Sequence, residues 1–194
     1  MKAFLILEDG TVFEGTSIGS QKEVISEIVF NTSMTGYLEV MTDPSYAGQA
    51  VVMTYPLIGN YGITPDAESK RPWVDGYIVR ELSRMPSNFR CEGTIQDFLK
   101  ENDIPGIAGI DTRALTKILR DKGTMNGMIT CAEDFCIEDC LNKIGAYRVE
   151  GTVERVTRKE PQVYPAAGGQ QLRVALMDYG VKENMIRCLQ NRGC

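Results

Sequence analysis

Ala3-Phe4-Leu5-Ile6-Leu7, Glu8-Asp9-Gly10 and Thr11-Val12-Phe13-Glu14-Gly15 stand in immediate succession at the start of the chain. Two β-rich apolar runs separated by an Asp-Gly turn predict an opening antiparallel hairpin. Working outward, Val24 to Asn31 continues the pattern after another glycine turn. Ala50–Tyr55, Gly76–Val79, Gly106–Ile110 and Asn126–Thr130 follow as short β-type runs, each bounded by Gly, Pro or Asp. The first half of the chain is therefore expected to be mostly sheet.

Helices are expected later and carry their own punctuation. Thr94 caps a segment in which Ile95, Phe98 and Leu99 share a face, with Asp97 in the capping-box position. Thr112 is placed to cap the next, where Leu115, Ile118 and Leu119 line one side and Gly123 follows Lys122 as a stop. A third runs from Ile137 through Leu141 and Ile144 to Gly145. Strands first and helices laid on them later read as an α/β (α+β) domain.

From Arg155 to Gln171 the sequence mixes charge, Pro and Gly without periodicity, the composition of a linker. Beyond it, Leu172 to Met177 reads as a fresh strand, Asp178-Tyr179-Gly180 as a turn, and Val181 to Gln190 as a helix with Gly193 behind it. The expected organisation is a domain over residues 1–155, a linker over 156–171, and the truncated beginning of a second α/β domain over 172–194. The apolar face of Met185, Ile186 and Leu189 would need cover from the first domain or from another copy, so self-association through residues 172–194 is an expectation.

Composition excludes several function classes. The chain of 194 residues has 21 basic and 26 acidic side chains, net −5, and no basic cluster able to track a phosphate backbone, which argues against nucleic acid as a partner. No apolar run reaches the ~18–20 residues of a membrane span or forms a signal peptide, so a cytoplasmic protein is expected. Cys91, Cys131, Cys136, Cys140, Cys188 and Cys194 are scattered in a chain large enough to fold without disulfides, and reduced thiols are the natural reading. With no histidine at all, a Ser-His or Cys-His nucleophile cannot be assembled from this chain. The spacing of Cys131, Cys136 and Cys140 is not that of a zinc site, so no metal site is expected.

Two segments invite a functional reading. Phe30-Asn31-Thr32-Ser33-Met34-Thr35-Gly36-Tyr37-Leu38-Glu39, continued by Thr42-Asp43-Pro44-Ser45-Tyr46-Ala47-Gly48-Gln49, follows a strand directly and is dense in hydroxyls and amides suited to a binding loop. The plainer reading, favoured by spacing alone, is that Thr32, Ser33 and Asp43 cap turns and helix starts. Pro56-Leu57-Ile58-Gly59-Asn60-Tyr61-Gly62 is the second, either a close-approach loop or simply a turn. Arg113, Lys117 and Arg120 on the helix after Asp111 can hold an anion, although a solvated face explains them equally well. The Val174–Gly180 segment lacks the G-x-G-x-x-G glycines of a dinucleotide site.

These motifs, taken together, resemble a known family. Phe30 to Tyr37, Thr42-Asp43-Pro44-Ser45-Tyr46, Ile58-Gly59-Asn60-Tyr61-Gly62 and Asp111-Thr112-Arg113-Ala114-Leu115-Thr116 are similar to the small subunit of glutamine-hydrolysing carbamoyl phosphate synthetase. Asp178-Tyr179-Gly180-Val181-Lys182-Glu183-Asn184 resembles the opening of that family's class I glutamine amidotransferase domain. The resemblance implies a layered β/β/α domain of the swivelling type over the first ~155 residues. It implies a subunit that hydrolyses glutamine and passes ammonia to a large subunit, which uses ATP and Mg to make carbamoyl phosphate from bicarbonate for arginine and pyrimidine synthesis. The family's nucleophilic cysteine, in a G-x-C-x-G-H-Q elbow, and its His and Glu match nothing up to Cys194. No catalytic residue and no cofactor is therefore expected within this chain, which should be inactive alone. Ser45 alone carries over, as the serine with which the N-terminal domain reaches glutamine. The alternative is a non-catalytic interaction or scaffold domain of the same fold.

Overall fold

The structure, a computed structural model, describes residues 1–194. The hairpin opens it: β1 (Lys2–Leu7) pairs antiparallel with β2 (Val12–Ser17), Leu5 opposite Phe13. Its turn is closed by the Asp9 carboxylate, which accepts the Thr11 amide at 2.9 Å and the Lys122 ammonium at 2.7 Å.

Seven strands close into a barrel. β3 (Val24–Asn31), β4 (Gln49–Met53), β6 (Gly76–Ile78), β8 (Gly106–Ala108) and β9 (Met125–Thr130) join the hairpin in the order β1-β2-β8-β6-β4-β3-β9, and β9 pairs back onto β1. β3, β4, β6 and β8 run parallel to their neighbours in that series, whereas β9 and β2 run antiparallel where they meet it. Closure removes the unpaired edge that an open sheet would expose. β5 (Leu57–Ile58) and β7 (Glu81–Leu82) form a separate parallel pair outside the barrel.

Period-two alternation explains where the cores lie. Along β1, Ala3, Leu5 and Leu7 enter one cluster with Ile28, Ala50, Val52, Ile78, Ile107 and Ile129, contributed by strands all round the barrel. This is the barrel interior, and α3 (Thr112–Lys122) adds Leu115 and Leu119 to it. Ile6 points the other way, against Cys140 and Ile144 of α4 (Ile137–Ala146). On β4 and β6 the outward residues Val51, Met53 and Tyr77 pack against α1 (Tyr37–Thr42) and α2 (Ile95–Glu101). Each such side chain, fully buried, contributes about 1.5–3 kcal/mol relative to exposure, and the outer face is covered along β1, β4 and β6 but open to solvent along β2.

The mixed α/β character expected from sequence is present. The expected strands and the helices after Thr94 and at Ile137 appear within a few residues of their expected bounds, and Thr94 caps α2 by accepting the Asp97 amide. Three corrections are needed. α3 is capped by the Asp111 carboxylate, which accepts the Ala114 amide at 3.0 Å, so Thr112 is the first helical residue rather than the cap. Leu172–Met177 forms no strand, and its side chains are largely exposed: no neighbouring strand is present to take its backbone hydrogen bonds. The last helix, α6 (Glu183–Gln190), starts two residues after Val181, because Asp178 holds the preceding residues in a turn. Short α1 and α5 (Thr152–Val156) lack sequence periodicity, and α5 takes up the start of the stretch read as linker.

Candidate functional site

The connection from β3 to β4 is built almost entirely by side chains that satisfy backbone. Asn31 accepts the Ser33 amide at 2.8 Å and donates to the Tyr46 hydroxyl at 3.0 Å. α1 then begins at Gly36, whose φ of +81° is a left-handed conformation that glycine adopts without strain. Thr42, buried, donates to the Leu38 carbonyl at 2.9 Å and accepts the Glu68 amide at 2.9 Å. Asp43 caps the 3-10 turn Pro44–Tyr46 by accepting the Ser45 amide at 2.9 Å. The plainer reading therefore holds for Asp43, while Asn31 rather than Thr32 or Ser33 ties the loop's start. Ser45 differs from both: its backbone is fixed by the turn, yet its side chain is exposed and its hydroxyl has no partner in the chain.

The two loops read separately from sequence are locked together by a pair of tyrosines. Tyr37 and Tyr61 stack with ring centroids 4.0 Å apart and planes 16° from parallel. The Tyr61 hydroxyl accepts the Gly36 amide at 2.7 Å, and the Tyr37 hydroxyl accepts the Tyr61 amide at 3.0 Å while donating to the Gly62 carbonyl at 3.1 Å. Burial raises both phenols above their usual range, so they act as neutral hydrogen-bonding groups. Gly62, at φ +69°, has no room for a side chain, since a Cβ would collide with Cys91 Sγ and the Gly93 carbonyl. Within the 56–62 segment Leu57–Ile58 is strand β5 rather than turn, and the turn after it supports the start of α1 through Tyr61.

The 178–183 turn docks on this loop. Asp178 accepts the amides of Gly180 and Val181 at 2.9 and 3.0 Å and pairs with Arg158 at 3.1 Å. Partial burial pushes its carboxyl up, but those two amides and the guanidinium outweigh burial and hold it below the usual range. Gly180, at φ +104°, brings the backbone so close that a Cβ would stand 3.0 Å from Pro44 and 3.1 Å from Val156. Lys182 pairs with Asp43 at 2.6 Å, a bond that raises its ammonium above the ordinary lysine range, and the Glu183 amide donates to the Glu68 carbonyl at 2.8 Å. The turn that presents Ser45 is therefore gripped from two sides, by Asn31 through Tyr46 and by Lys182 through Asp43. Sequence reasoning missed Lys182 and the tyrosine pair, because their partners are distant in the chain.

Other candidates are not drawn to this place. Arg113 and Lys117 stay on the solvent side of α3, and Arg120 pairs only with its neighbour Asp121. Cys188 lies exposed on α6, and burial raises the thiol of Cys140 on α4. No group of three or more His, Cys, Asp or Glu side chains is arranged to hold a metal, and no helix is long and apolar enough to cross a membrane. What the site offers chemically is one positioned, unengaged hydroxyl able to donate to a carboxylate or to accept from an ammonium.

Residues 5–129 match the family described as carbamoyl-phosphate synthase small chain, CPSase domain. A carbamoyl phosphate synthase small chain of Clostridium perfringens is 52% identical over all of this chain and 55% of that relative. Those of Listeria monocytogenes and Bacillus caldolyticus are each 49% identical, over all of this chain and 53% of each relative. Among solved structures, an aminopeptidase from an Aneurinibacillus species aligns with 66% of this chain and 30% of its own at 17% identity and a TM-score of 0.38, too low to bear on the fold. The chain spans about half the length of the relatives it matches. By its family match and by relatives half identical along its entire length, the chain belongs to the carbamoyl phosphate synthase small-chain family.

Proposed function

We propose that this chain is the N-terminal part of a glutamine amidotransferase subunit that supplies ammonia to a large subunit for carbamoyl phosphate synthesis. Its contribution is to present Ser45 to glutamine held by the domain that residues 172–194 begin. The observation that carries this reading is the state of Ser45: an exposed, unpartnered hydroxyl on a turn held by Asp43 and Tyr46, directly beside the 178–183 turn. With its backbone held by the turn, Ser45 has only side-chain freedom left to lose on binding. The large subunit, with its ATP and Mg, carries out the synthesis from bicarbonate, in the arginine and pyrimidine pathways of the cytoplasm.

The chain by itself has no histidine, and we propose that it does not hydrolyse glutamine. The swivelling β/β/α layering implied by the resemblance is supported by barrel walls that pack on each other inside and carry α1 and α2 outside. The division into residues 1–155, 156–171 and 172–194 is part of this proposal; the irregular stretch between α5 and α6 supports a linker after the first domain, with α5 itself crossing residue 155.

The test is Ser45→Ala in the intact two-domain subunit, with glutamine kinetics as the readout. Loss of one hydrogen bond to a charged substrate group is expected to raise the glutamine KM about tenfold, equivalent to about 1.5 kcal/mol. An unchanged KM overturns the assignment of Ser45 and favours a loop whose polar residues serve the fold alone.

A further inference from the structure

Across the barrel wall, β2, β7 and the start of α2 border a cleft of about 410 Å³, within the range of small-molecule sites. Thr16, Ser17, Arg80, Arg84 and Gln96 line it. None of their side chains makes a hydrogen bond or ion pair within the chain. Arg90, Arg155 and Arg158 each lie against a carboxylate; Arg80 and Arg84 do not, and they differ from the other arginines without a carboxylate in lining one cleft together. Glu81 also borders the cleft, yet it comes within ion-pair distance of neither Arg80 nor Arg84. Two unpaired guanidiniums on one concave surface, in a chain of net charge −5, form a local field of the opposite sign to the whole.

The backbone around these groups is fixed. The Arg80 carbonyl accepts the Gly109 amide at 2.8 Å, the Glu81 amide donates to Pro56 at 3.1 Å, and the Ser83 amide donates to Ile58 at 2.7 Å. The backbone is thus held at Arg80 and immediately before Arg84, and the side chains are free to close on a ligand. A guanidinium offers a planar fork that matches an oxyanion, and hydroxyl and amide donors complete the set.

We propose that this cleft binds a small dianion, a phosphate monoester or a dicarboxylate, between Arg80 and Arg84. The site is separate from Ser45 and does not depend on the function proposed for it. Its test is titration of the full chain with inorganic phosphate and, separately, with succinate, followed by amide NMR against sodium chloride at matched ionic strength. Saturable shifts at Ser17, Arg80, Arg84 and Gly109 are expected with at least one of the two, and which one responds distinguishes phosphate from carboxylate recognition. Arg80→Gln combined with Arg84→Gln should weaken that binding at least about tenfold, as the loss of charge-assisted hydrogen bonds requires. Glu81→Gln, which removes the only carboxylate lining the cleft, should tighten it. Shifts equalled by chloride, absent with both probes, or undiminished in a folded double-arginine variant overturn the proposal.

Discussion

The barrel and the tail beyond α5 contain the same kinds of apolar segment, yet only one of them is a structure in its own right. In β1, Leu5, Ile6 and Leu7 are fully buried, because β2 and β9 take the backbone bonds on either side and α4 covers the outer face. In the tail, Leu172, Val174 and Leu176 alternate as a strand should, but they stand 63%, 47% and 41% exposed and form no ladder. Hydrophobic pattern is therefore necessary for a strand and insufficient without a partner. The tail is held to the barrel side instead by discrete polar contacts, Lys182 to Asp43 and Glu183 to Glu68, and tied to itself by Asp178 to Arg158, with Ile186 the one well-buried side chain of α6.

The largest expected effect separates these two modes of holding. Leu5→Ala empties part of the barrel interior and should cost about 2–5 kcal/mol of global stability, read by denaturant unfolding. Ile186→Ala, a change of the same chemistry in the tail, should leave the main transition nearly in place and raise amide exchange only along α6. Deleting residues 172–194 should likewise spare the barrel's melting temperature while reducing any self-association seen by sedimentation. A global loss from either tail change comparable to that of Leu5→Ala would break the comparison and make the tail part of one cooperative unit.

A smaller effect is expected at the tyrosine pair, which belongs to the barrel side although it serves the site. Tyr61→Phe keeps the stack on Tyr37 but leaves the Gly36 amide, and the more distant Tyr37 amide, without an acceptor. A part-buried donor left unmade costs about 1–3 kcal/mol. The loss should appear as lowered global stability together with faster exchange of the first turn of α1. If only exposed residues 32–35 respond, the pair is ornament to the loop rather than its lock.

These contrasts also explain what was legible in advance. The hairpin, the short β runs without their direction, and α2 follow from local signals, such as the turn at Gly10, alternation along β1, and the Thr94–Asp97 box. Barrel closure was not legible, because it depends on β9 meeting β1 across more than a hundred residues, and pairing across such a separation leaves no local mark. Ser45 was identified through the motif around it rather than through its own properties. Its supports, Tyr46 to Asn31 and Asp43 to Lys182, are long-range hydrogen bonds of the same illegible kind. The supposed strand at 172–177 erred in the opposite direction, as local pattern with no tertiary partner.

The smallest effect concerns two carboxylates of opposite sign. Asp178 in the tail turn is held below the ordinary value of 3.8, with burial opposing and the Val181 and Gly180 amides and Arg158 prevailing. A depressed carboxylate contributes stability that is present above about pH 4 and lost as pH falls through its lower folded value. Asp75, at the edge of β6, is raised above 3.8 chiefly by burial, which the Arg155 guanidinium 3.6 Å away only partly offsets. Its contribution runs the other way: full below the unfolded value, and lost as pH rises through the folded one. Asp75→Asn should therefore stabilise the barrel at pH 7, with the gain vanishing below about pH 4, where the native carboxyl is itself neutral. Asp178→Asn should weaken protection of the Gly180 and Val181 amides at pH 7 and make little difference in strong acid. Paired hydrogen-exchange and denaturation series between pH 3 and 7 would resolve both. Parallel responses in the two variants would show that barrel and tail titrate as one body.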